Sequence, residues 1–149
     1  MGYSNKFSNK LNDLLNINYE VEKIYLEIFK SISNEAMKRF FKERQIKRNE
    51  FSAELRNEIS KHNIAPQSVN VLSKYYNQDQ VNNRKKDFSD NKDYLLFEVL
   101  KLKKESIDKY NELLRENSLP LSLCRALVKQ RDNIQDTMRV LDRENILIA

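Results

Sequence analysis

The chain is 149 residues long, 33% of them charged, with a formal net charge of +5. That length supports one domain with a buried core, and no stretch approaches the roughly 18 to 20 uninterrupted apolar residues needed to cross a bilayer. The polar start Tyr3, Ser4, Asn5, Lys6 carries no signal-peptide core, and the single cysteine, Cys124, excludes an intrachain disulfide or a Cys-rich zinc site. A cytoplasmic protein in a reducing compartment is expected, with Cys124 a small buried apolar side chain.

Gly2 is the only glycine, and Pro66 and Pro120 are the only prolines, so tight hairpins and phosphate-cradling loops have almost no raw material. The chain is expected to be all α. The positive charge invites a nucleic-acid reading, yet basic and acidic residues alternate along the predicted helices, as in Glu43, Arg44, Lys47, Arg48 and Glu50, the pattern of a solvated helical face. Only Arg84, Lys85 and Lys86 form an uninterrupted basic run, and Asp87 follows at once, so weak nucleic-acid binding stays as an alternative and not as the expectation.

Leu14, Ile17, Val21, Ile24, Ile28 and Ile32 recur at steps of three and four and predict a first helix over about 8–32. Ser33 or Asn34 can cap a second helix, about 35–61, with Met37, Phe40, Phe41, Phe51, Leu55 and Ile59 on one side. The short turn between them makes an antiparallel hairpin. Residues 62–91 are a polar connector in which Pro66 disfavours helix at Ala65, and a segment this long is expected to hold a short helix within Tyr76 to Lys86. Its length lets it cross the bundle, so that the third helix runs parallel to the second. Leu95, Leu96, Val99, Leu102, Ser106, Tyr110 and Leu113 mark that third helix, about 92–117, ending before Pro120. Ser122 can cap the fourth, about 122–144, with Leu123, Leu127, Ile134, Met138 and Leu141 in its stripe. The apolar tail Ile146, Leu147, Ile148 either folds back or joins a subunit contact, and a homodimer is expected. Residues 1–149 thus read as a single domain, two helical hairpins joined by a long crossover.

Leu11, Asn12, Asp13, Leu14, Leu15 with Tyr25, then Arg48, Phe51, Ser52, Ala53, Glu54, Leu55, and later Arg125, Ala126, Leu127, Val128 and Gln130, give the chain a family likeness. It resembles the bacterial ferritin-like four-helix-bundle proteins of unknown function, the YciF-type, stress-associated set. The resemblance implies a ferritin-like bundle and a bacterial stress setting. It also marks departures. The connector lacks that family's glycines and tryptophan, Lys103 and Lys104 follow Glu98 where later acids would stand, and Met138 occupies the place of a histidine.

A ferritin-like di-iron site draws a Glu from each of two helices and a Glu-x-x-His pair from each of the others. The chain has one histidine, His62, predicted at the exposed end of the second helix, so no di-iron centre and no cofactor are expected. If any metal binds, a carboxylate-only site at Glu20, Glu98 and Glu54 is the alternative. Ser, His and Asp occur without a glycine-built oxyanion loop, so no complete catalytic constellation is present and the chain is not read as an enzyme.

The unusual feature is cationic. Arg44 and Arg48 fall at stripe spacing between Phe41 and Phe51, and Gln130 and Arg131 interrupt the apolar run between Leu127 and Ile134. An inward guanidinium needs a carboxylate or several acceptors, because leaving it unpaired costs several kcal/mol. Arg44, Arg48, Glu98, Gln130, Arg131 and Tyr25 are therefore expected to form a buried or half-buried Arg–Glu–Gln–Tyr layer, with Glu20 a further candidate partner. The competing reading is that the arginines run along the helix edge into water.

Overall fold

The computed structural model describes the backbone of residues 5–64 and 92–144 and the side chains of 6–64 and 97–136. Among them are four α-helices and no strand: α1 (Asn5–Ser31), α2 (Glu35–Lys61), α3 (Lys92–Leu114) and α4 (Leu121–Glu144). The connector proper, with its expected short helix between Tyr76 and Lys86 and its basic run, lies outside the described residues, as do the tail and the side chains of Leu95, Leu96, Met138 and Leu141.

The apolar stripes become the core. Leu14, Ile17, Val21, Ile24 and Ile28 of α1, Met37, Phe40, Phe41, Phe51, Leu55 and Ile59 of α2, Val99, Leu102 and Leu113 of α3, and Leu123, Leu127 and Ile134 of α4 are all buried in one cluster. Each such aliphatic or aromatic side chain contributes about 1.5–3 kcal/mol by leaving water. Cys124 is only half-buried, on the flank of the α4 stripe and not within it.

The helix ends follow local chemistry. Of the two possible caps for α2, Asn34 serves: its Oδ1 accepts from the backbone N–H of Met37 at 3.0 Å. At the other end Asn63 takes a left-handed φ of 55°, with Asn63 N–H bonded to Ser60 O at 3.2 Å and Ile64 N–H to Ile59 O at 3.0 Å. This is a Schellman closure, completed by burial of both Ile59 and Ile64, with asparagine in the position glycine usually fills. The third helix stops at Leu114, short of the expected 117, because the chain turns through a left-handed Ser118 (φ 66°). The fourth begins at Leu121, with Cys124 N–H bonded to Pro120 O at 2.9 Å, so Ser122 sits inside the first turn and is not its cap.

Cross-helix bonds fix the directions. Glu22 of α1 accepts from Gln45 and Asn49 of α2; Lys10 and Asn18 of α1 reach Glu116, just beyond α3, and Tyr110 within it; Arg44 and Glu58 of α2 reach Asn133 and Ser122 of α4. Early residues of one helix meet late residues of its neighbour each time, so α1 is antiparallel to α2 and α3, and α4 is antiparallel to α2. Neither α1 and α4 nor α2 and α3 pack directly, so each pair lies on a diagonal of the bundle and runs the same way.

Candidate functional site

The centre of this bundle is polar. Arg48 of α2 is 4% exposed, and its Nη1 donates to Asn18 Oδ1 of α1 at 2.7 Å. Asn18 Nδ2 donates to Tyr110 Oη of α3 at 3.0 Å and to Leu14 O at 3.2 Å. The Tyr110 hydroxyl donates to Gln130 Oε1 of α4 at 2.6 Å, and Gln130 Nε2 donates back to α2, to Glu54 Oε1 at 3.2 Å and to Phe51 O at 3.4 Å. Asn18, Tyr110 and Gln130 are fully buried.

Every donor in this chain points the same way, from the guanidinium at one end to the carboxylate at the other. The charged ends impose that polarity. Arg48 has only donors to offer, so Asn18 must present its carbonyl to it and its amide to Tyr110; Glu54 has only lone pairs, so Gln130 must turn its amide to it and its carbonyl to Tyr110. The tyrosine hydroxyl, able to do both, joins the two amides. Aligned bonds in a poorly polarisable interior reinforce one another, and a half-satisfied set would cost more than apolar packing.

Burial pushes the Tyr110 hydroxyl pKa up to about 12; the positive charge of Arg48 and the Asn18 hydrogen bond offset part of that, and Glu54 adds to it. Tyr110 therefore stays a neutral donor through the physiological range.

The ring takes only part of the set read from the sequence. Arg48 and Gln130 are in it, and the half-buried Glu54, considered only as a metal ligand, closes it. Arg44 is half-buried, reaches Asn133 Oδ1 at 3.4 Å and lies 5.8 Å from the Phe40 ring centroid. Arg131 is half-buried and donates to Asn111 Oδ1 at 3.0 Å and to Asp132 at 3.4 Å. Tyr25 instead packs on Phe41, ring centroids 5.6 Å apart. Glu98 is buried but lies about 18 Å along the axis of α3 from Tyr110, at 1.5 Å per residue. Glu20 is buried two residues from Asn18, which turns it about 200° around α1. Glu20, Glu98 and Glu54 are thus not brought together, and among the described residues no three His, Cys, Asp or Glu side chains gather as a metal site would require.

Periodicity assigns Tyr110 to the apolar stripe of α3 and gives neither it nor Asn18 a polar role. Asn18 carried a usable signal: it stands in the inward row between Leu14 and Val21, where a polar side chain demands partners.

A second polar cluster ties the end of α2 to the start of α4. Ser122 Oγ donates to Glu58 Oε2 at 2.9 Å, and His62 Nε2 lies 2.9 Å from Glu58 Oε2 and 3.2 Å from Ser122 Oγ. His62 was expected to be exposed, yet it is half-buried because Ser122, freed from capping, meets it. One ring nitrogen faces both the serine and the acid, so the Glu58, His62 and Ser122 side chains lack the relay a hydrolytic triad needs.

No helix among the described residues is long and apolar enough to cross a membrane. No curated protein and no solved structure matches the chain. One family model matches, over residues 6–116, which spans α1, α2 and α3 and leaves α4 outside. On that match the chain belongs to the family described as a domain of unknown function, DUF2383.

Proposed function

We propose that this chain is a metal-free, ferritin-like bundle of the YciF-type, stress-associated kind, two hairpins joined by a long crossover, which acts in the bacterial cytoplasm by associating with itself or with a protein partner. The observation that carries the reading is Arg48 at the bundle centre, its guanidinium bound to Asn18. Ferritin-like sites set inward carboxylates and histidines from all four helices around cations. Here a covalently fixed cation sits among neutral amides and a tyrosine, and it repels any divalent ion brought beside it. The association surface in this reading is the exterior, where, among the described residues, Phe97, Leu100, Ile46 and Leu121 stand exposed.

Metal analysis and sedimentation of the purified protein test this together. The expected result is substoichiometric iron, manganese and zinc in a homodimer. Stoichiometric metal that disappears when Glu20 and Glu98 are both changed to Gln would overturn the metal-free reading in favour of a carboxylate-only site. A monomer at every concentration, with no protein retained from the source cell, would overturn the association reading.

A further inference from the structure

The corner where α1 hands over to α2 gathers positive charge around a cleft. Glu35, Lys38, Arg39, Lys42 and Glu43 recur at steps of three and four at the start of α2, so they share one face, and Phe29, two residues before the end of α1, lies against it. Together these six line an open cleft of about 430 Å³, a volume within the range of small-molecule sites.

Two of the cations are held in place. The Lys38 ammonium donates to the Phe29 carbonyl at 3.0 Å and stands 4.7 Å from the centre of the Phe29 ring, and the Lys42 ammonium stands 5.6 Å from the centre of the same ring. Both side chains are half-buried, with Arg39 exposed at the rim. Like charges one turn apart repel, yet an aromatic face draws these two to one ring. Neither a ring face nor a carbonyl carries net charge, and among the described residues Lys38, Arg39 and Lys42 form no ion pair. Glu35 and Glu43 line the cleft as well, but both are exposed, so water screens them more than it screens the half-buried ammoniums.

Three donor-only cations suit an anion with several oxygens and more than one charge. A carboxylate brings one charge on two oxygens, whereas a phosphate monoester brings about two on three free oxygens. The positive face is also short. Ile46, the next residue along it, is an exposed apolar side chain, and Lys47 beyond it is paired with Glu50, so no basic stripe continues along α2 as the backbone of a nucleic acid would need.

We propose that this cleft binds a small phosphorylated molecule, its phosphate group held by Lys38 and Lys42, with Arg39 closing on it from the rim. No bond is made or broken. The site lies on the outside of the α1–α2 hairpin and is independent of the central ring.

The test is a titration of the full chain with inorganic phosphate in place of chloride at fixed ionic strength, followed residue by residue by NMR. Saturable shifts centred on Phe29, Lys38, Arg39 and Lys42 are expected. Lys42→Met should weaken binding by about tenfold or more, and Glu43→Gln should tighten it, because the two substitutions change the charge of the cleft in opposite directions. Lys42 lies outside the core cluster, so the variant should fold; if it does not, Lys42→Gln serves, with the same loss expected. Shifts that never saturate, or that spread evenly over the other lysines, mark an adventitious ion only and would overturn the proposal, as would equal affinity in the wild type and the Lys42 variant. So would a single-stranded oligonucleotide that moves the same residues and displaces phosphate at a far lower concentration of phosphate groups, since the site would then serve a polymer. Neither metal content nor oligomeric state enters these readouts, so failure here is distinguishable from failure of the association reading.

Discussion

Two polar clusters cross between helices in this molecule, and they differ in burial and in reach. The central ring joins all four helices through fully buried Asn18, Tyr110 and Gln130, whereas the cluster at the bundle end joins only α2 and α4, with the His62 side chain 20% exposed. The bond lengths are similar, so geometry alone would rank them together. Solvent separates them: losing Asn18, Tyr110 or Gln130 leaves partners in the ring that water cannot reach, while at the end the half-buried His62 and Ser122 stand beside the buried Glu58 and can rehydrate. The ring therefore specifies how the helices assemble, and the end cluster only trims the fit.

Gln130→Ala should have the largest effect on stability. It strands the fully buried Tyr110 hydroxyl and removes the bonds to the half-buried Glu54 and to the Phe51 carbonyl, and chemical denaturation should register a loss of about 3 kcal/mol with unchanged helix content below the transition. A loss below about 0.5 kcal/mol would place the ring in the same class as the bundle end.

Alkaline pH probes the ring without a mutation. The folded-state pKa of Tyr110, about 12, lies above the unfolded value near 10, so the unfolded chain releases its proton first. The contribution is fully present below about pH 10 and is lost as pH rises toward 12, by roughly 2–3 kcal/mol in all. Tyr110→Phe should remove that component from the pH profile.

Glu58→Gln at the end cluster should cost about 1 kcal/mol, because the amide oxygen still accepts from Ser122 and the part-exposed His62 can turn to solvent. The smallest effect belongs to Lys10 and Glu116 at the surface. The Lys10 ammonium, 2.5 Å away, holds the Glu116 carboxyl below its usual range, so its contribution is present at neutral pH and lost as acid protonates it. Glu116→Gln should be nearly silent at pH 7 in a thermal melt.

Much of the fold was legible because it rests on period. The α1 and α2 stripes named from three-and-four spacing are buried at every position from Leu14 to Ile59, and the scarcity of glycine and proline predicted helices before any element was placed. The α2 bounds agree with the expected 35–61, with Asn63 turning left-handed just beyond them, whereas α3 stops at Leu114, three residues short of the expected end and ahead of the left-handed Ser118. The polar layer was half visible. Arg48 and Gln130 announced themselves as polar side chains in apolar rows, but which partner each meets depends on the axial register of four helices, which a single chain's periodicity does not carry. Register set Glu98 far from the ring and sent Tyr25 to Phe41, while Tyr110, hidden by its apolar bulk, became the joint. The family match adds a membership and no activity, so function rests on the interior chemistry and the exposed surface.

If the ring is one unit linking all four helices, its bonds are energetically coupled. A double-mutant cycle between Asn18→Ala and Gln130→Ala tests it most directly, since these two residues touch only through Tyr110. Coupling of about 1–2 kcal/mol is predicted, because the second substitution removes less once the directional chain is broken. Losses that simply add, within about 0.3 kcal/mol, would contradict it and reduce the ring to independent hydrogen bonds.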